Sequence, residues 1–245
     1  LLAESIRRFI AKDYTFESRK KILASAAGCS DRVWATFAEM GLTGLPFSPD
    51  YGGFGGGALD MMGVMEAIGE GLVLEPYLST VGLGAQFVAR AGSDAQKKAI
   101  LPRVVAGGLK MAFAHSEKGA RYDLAHVATQ ARQQAAGWVI DGEKCVVLHA
   151  PCAELLVVSA RSAGMDAGAA SNPSCPSGIS LFLVEAKARG LAMKSYRTID
   201  ELGAADIALD GVQVAAGALI GKAGEGHALI EEIVDYGTAL VCAEA

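Results

Sequence analysis

Apolar residues recur every three or four positions through the first hundred residues, which predicts amphipathic helices. The clearest stripes cover residues 2–10, 33–40 and 59–68. Ser30 is placed to cap the second of these helices, and Gly41 to end it. The first part of the chain is therefore predicted to be helical.

Two further helices are predicted from their start signals. Pro76 suits the first turn of a fourth helix, which ends before Gly92. Residues 93–96 form a capping box that opens a fifth helix. We expect this last helix to end or kink at Leu101, because a proline follows it.

The pattern changes after Gly108 to short apolar runs separated by turn residues, which is typical of an antiparallel sandwich or barrel. The pair Asp141-Gly142 predicts a two-residue hairpin. Residues 161–178 read as a long, poorly ordered excursion, and a helical pattern returns near Gly224. The runs are residues 111–114, 127–131, 138–140, 145–148, 155–158, 179–184 and 207–209.

Composition excludes several classes of function. The net charge is −5 and no stripe of Lys or Arg occurs, so nucleic acid is not an expected partner. Five cysteines and four histidines are scattered without a C-x-x-C pair. This predicts neither a metal site nor a disulfide framework, and favours reduced cysteines in a cytoplasmic protein.

Charged residues also interrupt every apolar segment long enough to consider as a targeting or membrane segment. Arg7, Arg8 and Lys12 argue against a signal peptide, and Glu75 and Arg90 against a membrane span. The chain does not begin with Met and ends inside a helical pattern. We therefore expect it to be part of a longer protein.

Several segments together resemble the acyl-CoA dehydrogenase family. Residues 113–117, Phe-Ala-His-Ser-Glu, are similar to its aromatic-x-x-Thr/Ser-Glu-Pro segment. Residues 138–144 are similar to its Tyr/Trp-x-hydrophobic-Asn-Gly-x-Lys hairpin, and residues 146–148 fall where the family has Trp/Phe-Ile-Thr/Ser. Residues 209–221 match the segment that closes its β-domain. Within the family, the small subunit of pimeloyl-CoA dehydrogenase is the nearest in character.

The resemblance implies an α+β fold in three parts. These are an N-terminal helical domain over residues 1–108, a middle antiparallel β-barrel over 109–221, and the first helix of a C-terminal helical bundle over 222–245. It implies FAD as the cofactor and an acyl-CoA as the substrate. It also implies an electron-transfer flavoprotein as the acceptor, and a dimer or tetramer as the assembly.

In the family, a carboxylate removes the α-proton of the acyl-CoA while the β-hydride goes to the flavin. That base is expected beyond residue 245. The resemblance assigns Arg121 and Tyr122 to substrate binding, where an Arg suits the free carboxylate of a dicarboxylyl-CoA such as pimeloyl-CoA. It assigns a second set to the cofactor, with the Ser116 hydroxyl on the polar edge of the flavin. Because an imidazole ordinarily titrates near neutral pH, His115 is also a candidate to tune the flavin. The cofactor set is Phe113, His115, Ser116, Val146, Val147 and Leu148.

Five positions depart from the family pattern. Lys118 replaces the usual proline, Arg121 and Tyr122 replace a Gly-Ser pair, Val146 replaces an aromatic, and Leu148 replaces a hydroxyl residue. The last four departures leave three functions open. The chain is an FAD-dependent acyl-CoA dehydrogenase, a non-catalytic or half-site partner subunit of a heteromeric one, or a flavin-dependent oxidase or monooxygenase of the same fold.

Overall fold

The computed structural model describes residues 2–25, 27–162 and 173–245. The excursion predicted over residues 161–178 falls mostly outside them. In the described part, the helices α1–α7 are Leu2–Asp13, Phe16–Ala24, Asp31–Glu39, Ala58–Glu70, Ala85–Ala91, Asp94–Val105 and Gly226–Glu244. The strands β1–β8 are Met111–Ala114, Gln130–Gln134, Gly137–Leu148, Leu155–Ser162, Ile179–Glu185, Leu191–Arg197, Gly203–Ala215 and Leu219–Ile220. No described helix combines the length and the apolar character that a membrane crossing requires.

The helical prediction is confirmed for the first part of the chain, including its caps. Ser30 Oγ accepts the N–H of Val33 at 3.3 Å. Ser93 Oγ accepts from Gln96 N at 3.2 Å, and Gln96 Oε1 accepts from Ser93 N at 2.8 Å. The helix predicted to start near Pro76 begins as a π-helical segment, Leu78–Gly84, that continues into α5.

The predicted fifth helix does not end at Leu101, because α6 runs through Pro102 to Val105. Leu101 and Val104 are both buried. Their packing holds the last turn in place although Pro102 lacks a backbone N–H donor.

The eight strands form one mixed sheet in the order β6-β7-β3-β2-β4-β5-β8, with β1 paired to β4 outside this path. The strictly antiparallel prediction is corrected, since β1 and β2 both run parallel to β4. Among the described strands, β6 and β8 end the path without pairing to each other, so a closed barrel is not observed. Hydrophobic alternation identifies a strand but carries no information about its direction.

The predicted hairpin at Asp141-Gly142 is also wrong, because both residues lie inside β3. The register with β7 shifts between Ile140 and Gly142, which marks a bulge. Gly142 has φ +150, and a Cβ there would lie 2.6 Å from Thr129 Oγ1. The glycine therefore serves a bulge, while the turn that joins β2 to β3 lies at residues 135–136.

Helices and sheet are joined around the start of β1. The Thr80 hydroxyl lies 3.0 Å from Met111 N and 3.1 Å from Met111 O, so it acts on both backbone groups of one strand residue. Both residues are fully buried. Because the chain leaves β1 directly into residues 115–117, this contact positions the segment that the sequence singled out.

Candidate functional site

The end of β1 meets the middle of β3 at an open edge formed by Ser116, Cys145 and Val146. Cys145 N donates to Ser116 O at 2.8 Å, which ties the two segments together. Ser116 is exposed, and Val146 is 50% exposed. Within the described part of the chain, the Ser116 hydroxyl makes no hydrogen bond. The edge thus presents one free hydroxyl beside one apolar side chain.

Val146 adopts a conformation that β-branched residues rarely take. Its φ is +51, in the left-handed region. The register between β3 and β7 shifts here, between Lys144 and Val147. Val146 N donates to Tyr196 Oη at 3.1 Å and to Asp206 Oδ1 at 3.2 Å. These two acceptors hold the bulge in place.

A buried ion pair lies directly beneath the open edge. Lys144 Nζ lies 2.7 Å from Glu117 Oε1, and the exposed fractions of the two side chains are 0% and 7%. Lys144 also donates to Ser159 Oγ at 3.0 Å and to His115 O at 3.2 Å. Three acceptors therefore hold the Lys144 ammonium group beneath the strand ends.

The Glu117 carboxylate also accepts several hydrogen bonds. Glu117 accepts from Ala128 N at 2.7 Å, and from the backbone N–H and hydroxyl of Thr129 at 3.1 and 2.7 Å. Burial opposes its ionisation, but the Lys144 charge and these hydrogen bonds outweigh burial and lower the pKa of Glu117. Burial lowers the pKa of Lys144 to about 8, and the nearby Glu117 charge limits the fall. Both groups are charged at neutral pH.

His115 does not titrate near neutral pH, contrary to the sequence-based prediction. Burial, and then the Lys144 charge, lower the pKa of His115 to about 3. Its Nδ1 lies 2.9 Å from Ser159 Oγ, and its ring stacks on Phe113 with centroids 5.2 Å apart. The side chain is a neutral part of the interior and does not line the open edge.

The remaining predicted site residues divide by exposure. Phe113 is half-buried and packs on Phe87, with ring centroids 4.4 Å apart. Val147 is buried, and Leu148 is half-buried. Arg121 and Tyr122 stand on the turn that follows Glu117, and Tyr122 is 99% exposed. The structure thus brings Ser116 and Val146 together, with the proposed substrate residues a few positions away on an open turn.

Sequence reasoning missed the supports of this edge. Glu117 and Lys144 each lay in a recognised motif, but their contact joins the segment after β1 to β3, and these two strands are not paired with each other. Tyr196 lies in β6, a strand that the sequence did not reveal, and Asp206 lies at the start of β7. Neither carries a local signal that separates it from ordinary strand residues.

Comparison with known proteins accounts for most of the chain. Residues 1–108 match the acyl-CoA dehydrogenase N-terminal domain, and residues 112–213 match the acyl-CoA dehydrogenase middle domain. The chain belongs to the acyl-CoA dehydrogenase family. Members of this family depend on FAD. The sequence-based assignment to the family is therefore confirmed.

Individual relatives agree with this assignment. The acyl-CoA dehydrogenase FadE12 of Mycobacterium tuberculosis is 31% identical over 200 residues, covering 78% of this chain and 48% of FadE12. The 3-(aryl)acrylate reductase of Clostridium sporogenes is 29% identical over 253 residues, covering 99% of this chain and 64% of the reductase. The chain thus spans about half to two thirds of the length of these relatives.

The fold also matches that of a solved structure. The ChsE4-ChsE5 complex from Mycobacterium tuberculosis superposes with a TM-score of 0.82 at 24% identity. The match covers 96% of this chain and 59% of that one.

Proposed function

We propose that this chain forms the N-terminal and middle part of an FAD-dependent dehydrogenase that oxidises the Cα–Cβ bond of an acyl-CoA thioester. The observation that carries the proposal is the open edge, where Cys145 N holds Ser116 O at 2.8 Å beside the exposed Val146. Family membership supplies the class of reaction, and the edge supplies a place for the cofactor.

The residues at the edge fit a flavin. A flavin has a polar rim that needs fixed hydrogen-bond partners and a flat apolar ring system. The Ser116 hydroxyl is exposed and without a partner in the described residues, so it is available to the rim. The exposed Val146 side chain is available to one face of the ring, although it covers less of that face than an aromatic residue does.

Bound FAD supplies the hydride acceptor. Ser116 donates or accepts at the polar rim, and Val146 excludes water from part of the ring face. The Lys144–Glu117 pair ties the segment that follows β1 to β3. Glu117 is not the proton acceptor, because Lys144 Nζ, Ala128 N and both groups of Thr129 already occupy it. We assign that role to a carboxylate of a C-terminal bundle, beyond residue 245.

Arg121 narrows the class of substrate. It is exposed, and its φ of +51 places it on a tight turn five residues after Ser116. A guanidinium binds a carboxylate through two parallel hydrogen bonds. We therefore favour a dicarboxylyl-CoA such as pimeloyl-CoA, with Tyr122 as a neighbouring aromatic contact. We expect an oligomeric assembly, and an electron-transfer flavoprotein as the acceptor.

A partner-subunit function is the second candidate. Val146 and Leu148 remove an aromatic and a hydroxyl that the family pattern places at the flavin, and Leu148 is half-buried. A chain that contributes half of a shared site would tolerate both changes. The similar structure from Mycobacterium tuberculosis is a complex of ChsE4 and ChsE5.

The flavin content of the full-length protein, purified alone, tests the placement of the cofactor. Wild-type protein is expected to be yellow, and Ser116→Ala is expected to lose flavin more readily during dialysis. Equal retention by Ser116→Ala would place the flavin rim elsewhere. A colourless wild-type protein that acquires flavin only with a partner chain would favour the second candidate.

A further inference from the structure

The bulge at Val146 places two residues of β3 opposite a single residue of β7. The register between the two strands is regular up to Lys144 and resumes at Val147. Between these positions β3 supplies Cys145 and Val146, whereas β7 supplies only Asp206. An extra residue in one strand interrupts the ladder and leaves a backbone group unpaired. Asp206 is therefore the residue that stands opposite this interruption.

The extra residue decides which side chains of β3 face the open edge. Successive residues of a strand point to opposite faces, so one inserted residue reverses the facing of every residue after it. Lys144 and Val147 are both buried although they are three positions apart, and Val146 between them is 50% exposed. In a regular strand Val146 would share the buried face of Lys144, and Val147 would turn outward. The bulge is thus the reason that Val146 lies at the edge.

Two side chains satisfy the backbone N–H of the bulge. Val146 N donates to Tyr196 Oη at 3.1 Å and to Asp206 Oδ1 at 3.2 Å. Tyr196 Oη in turn donates to Asp206 Oδ1 at 2.8 Å. Tyr196 belongs to β6, and β7 lies between β6 and β3 in the sheet, so the tyrosine reaches across β7. We call Asp206 and Tyr196 together the brace.

The brace supports a conformation that valine disfavours. Val146 has φ +51, and a β-branched residue in this region is an outlier. Such strain persists only where surrounding contacts compensate for it, and it clusters at sites that bind ligands. The two hydrogen bonds to Val146 N are contacts of this kind. Strain and support therefore coincide at the residue proposed to face the flavin.

The brace also carries a negative charge. The hydrogen bonds from Tyr196 and from Val146 N lower the pKa of the Asp206 carboxyl, and the charges of Lys118 and Lys194 act in the same direction. Asp206 is half-buried, and with both lysines it lines a cavity of about 300 Å³. This cavity leaves one side of the carboxylate open. Asp206 is therefore an anion at neutral pH, one hydrogen bond away from the open edge.

We propose that Asp206 and Tyr196 are positioning residues for the flavin, and that the Asp206 charge makes bound FAD harder to reduce. This inference rests on the proposed function, which places FAD at the open edge. The brace holds Val146 toward one face of the ring system and keeps Val147 in the core. Transfer of a hydride to a neutral flavin adds one negative charge, which a nearby carboxylate disfavours.

Hydrogen exchange at the Val146 amide of the full-length protein tests the brace itself. Slow exchange is expected in the wild type, exchange about tenfold faster in Asp206→Ala, and an intermediate rate in Tyr196→Phe. Asp141→Ala is the matched control, because Asp141 Oδ1 accepts from Gly211 N at 2.8 Å at the other bulge of the same strand pair. The control should leave the Val146 amide unchanged. An Asp206→Ala variant with the wild-type rate would overturn the inference.

Flavin affinity and flavin potential separate the position of Val146 from the charge of Asp206. Asp206→Ala is expected to raise the dissociation constant for FAD about tenfold, whereas Asp206→Asn keeps an acceptor oxygen and retains the affinity. Asp206→Asn should instead raise the midpoint potential of the bound flavin, which a merely structural role would not move. Asp141→Asn should leave this potential unchanged.

The outcomes distinguish this inference from the proposed function. Unchanged FAD affinity in Asp206→Ala, or an unchanged potential in Asp206→Asn, would overturn the inference and leave the proposed function intact. A wild-type protein that binds no flavin, alone or with a partner chain, would overturn both.

Discussion

Lys144 Nζ and Glu117 Oε1 lie 2.7 Å apart, and both side chains are buried beneath the open edge. Removing one partner of such a pair leaves an uncompensated buried charge, which costs about 3–5 kcal/mol. We therefore expect Lys144→Met to lower the free energy of unfolding by about that amount, measured by urea denaturation.

The exposed pair Lys118–Glu143 provides the control, since its nitrogen and oxygen are 3.7 Å apart and both side chains are more than 70% exposed. Lys118→Met is expected to cost about 0–1 kcal/mol. A Lys144→Met variant as stable as Lys118→Met would show that the buried pair does not hold the edge together.

Because Val146 lies in the left-handed region, we expect glycine to be better tolerated there than valine. The left-handed conformation costs about 1–2 kcal/mol for residues with a Cβ, whereas glycine adopts it freely. We expect Val146→Gly to raise the free energy of unfolding of the apoprotein by about 1 kcal/mol. Val147→Gly, at a buried strand position, is expected to destabilise the protein. Destabilisation by both variants would contradict the strain at Val146.

Glu75 predicts a pH dependence of stability. Burial raises the pKa of Glu75 to about 7, from 4.5. The contribution of Glu75 to the free energy of unfolding is therefore fully present below pH 4.5 and is lost as the pH rises through 7, because the folded protein must then ionise a buried group. The Glu75→Gln variant has no titrating group at this position and should gain about 3 kcal/mol over wild type between pH 4.5 and pH 8.

Chemical denaturation of both proteins across that range measures the difference directly. The comparison also cancels the buried histidines, which titrate identically in the two proteins. A constant difference between Glu75→Gln and wild type from pH 4.5 to pH 8 would show that Glu75 keeps an ordinary pKa.

Removing the Arg161 guanidinium is expected to disorder the turn that carries Arg121. The Arg161 guanidinium donates to five backbone carbonyls, and burial lowers its pKa. The five acceptors are those of Ala125, Val127, Pro173, Cys175 and Ser177. We expect Arg161→Met to expose residues 119–127 to proteases, with Arg132→Met, at an exposed position, as the control. Equal digestion of both variants would rule out Arg161 as the organiser of these loops.

Arg121 predicts a preference among substrates. A hydrogen bond to a charged group contributes about 1.5–3 kcal/mol, so its loss weakens binding by about ten- to a hundredfold. Arg121→Gln should raise the KM for pimeloyl-CoA by at least about tenfold. The KM for a monocarboxylyl-CoA of the same chain length should stay unchanged, as a steady-state comparison would show. An equal rise for both substrates would contradict the carboxylate contact.

Sequence patterns revealed every described helix except α2, because their apolar stripes recur at the helical period and their caps are local. Ser30 and the capping box at residues 93–96 were both confirmed. The strand runs were visible as well, but their directions were not, since alternation is the same in parallel and antiparallel strands. The parallel pairing of β1 with β4 therefore had no local signal.

The candidate site shows the same difference between local features, which the sequence reveals, and contacts between distant segments, which it does not. Ser116, Glu117 and Lys144 stood in recognisable segments. The contact between Glu117 and Lys144 arises only from the tertiary packing of two segments that are distant in sequence. Asp141-Gly142 shows the opposite error, since a strong local turn signal was overridden by a bulge that packs against Thr129.

Anaerobic reduction of the bound flavin tests the central proposal most directly. The full-length protein is titrated with pimeloyl-CoA and with a medium-chain acyl-CoA while its visible spectrum is recorded. We predict that acyl-CoA bleaches the oxidised flavin band and that a stoichiometric amount of enoyl-CoA forms. A flavin that stays oxidised with every acyl-CoA, yet is reduced by a pyridine nucleotide, would contradict the dehydrogenase function.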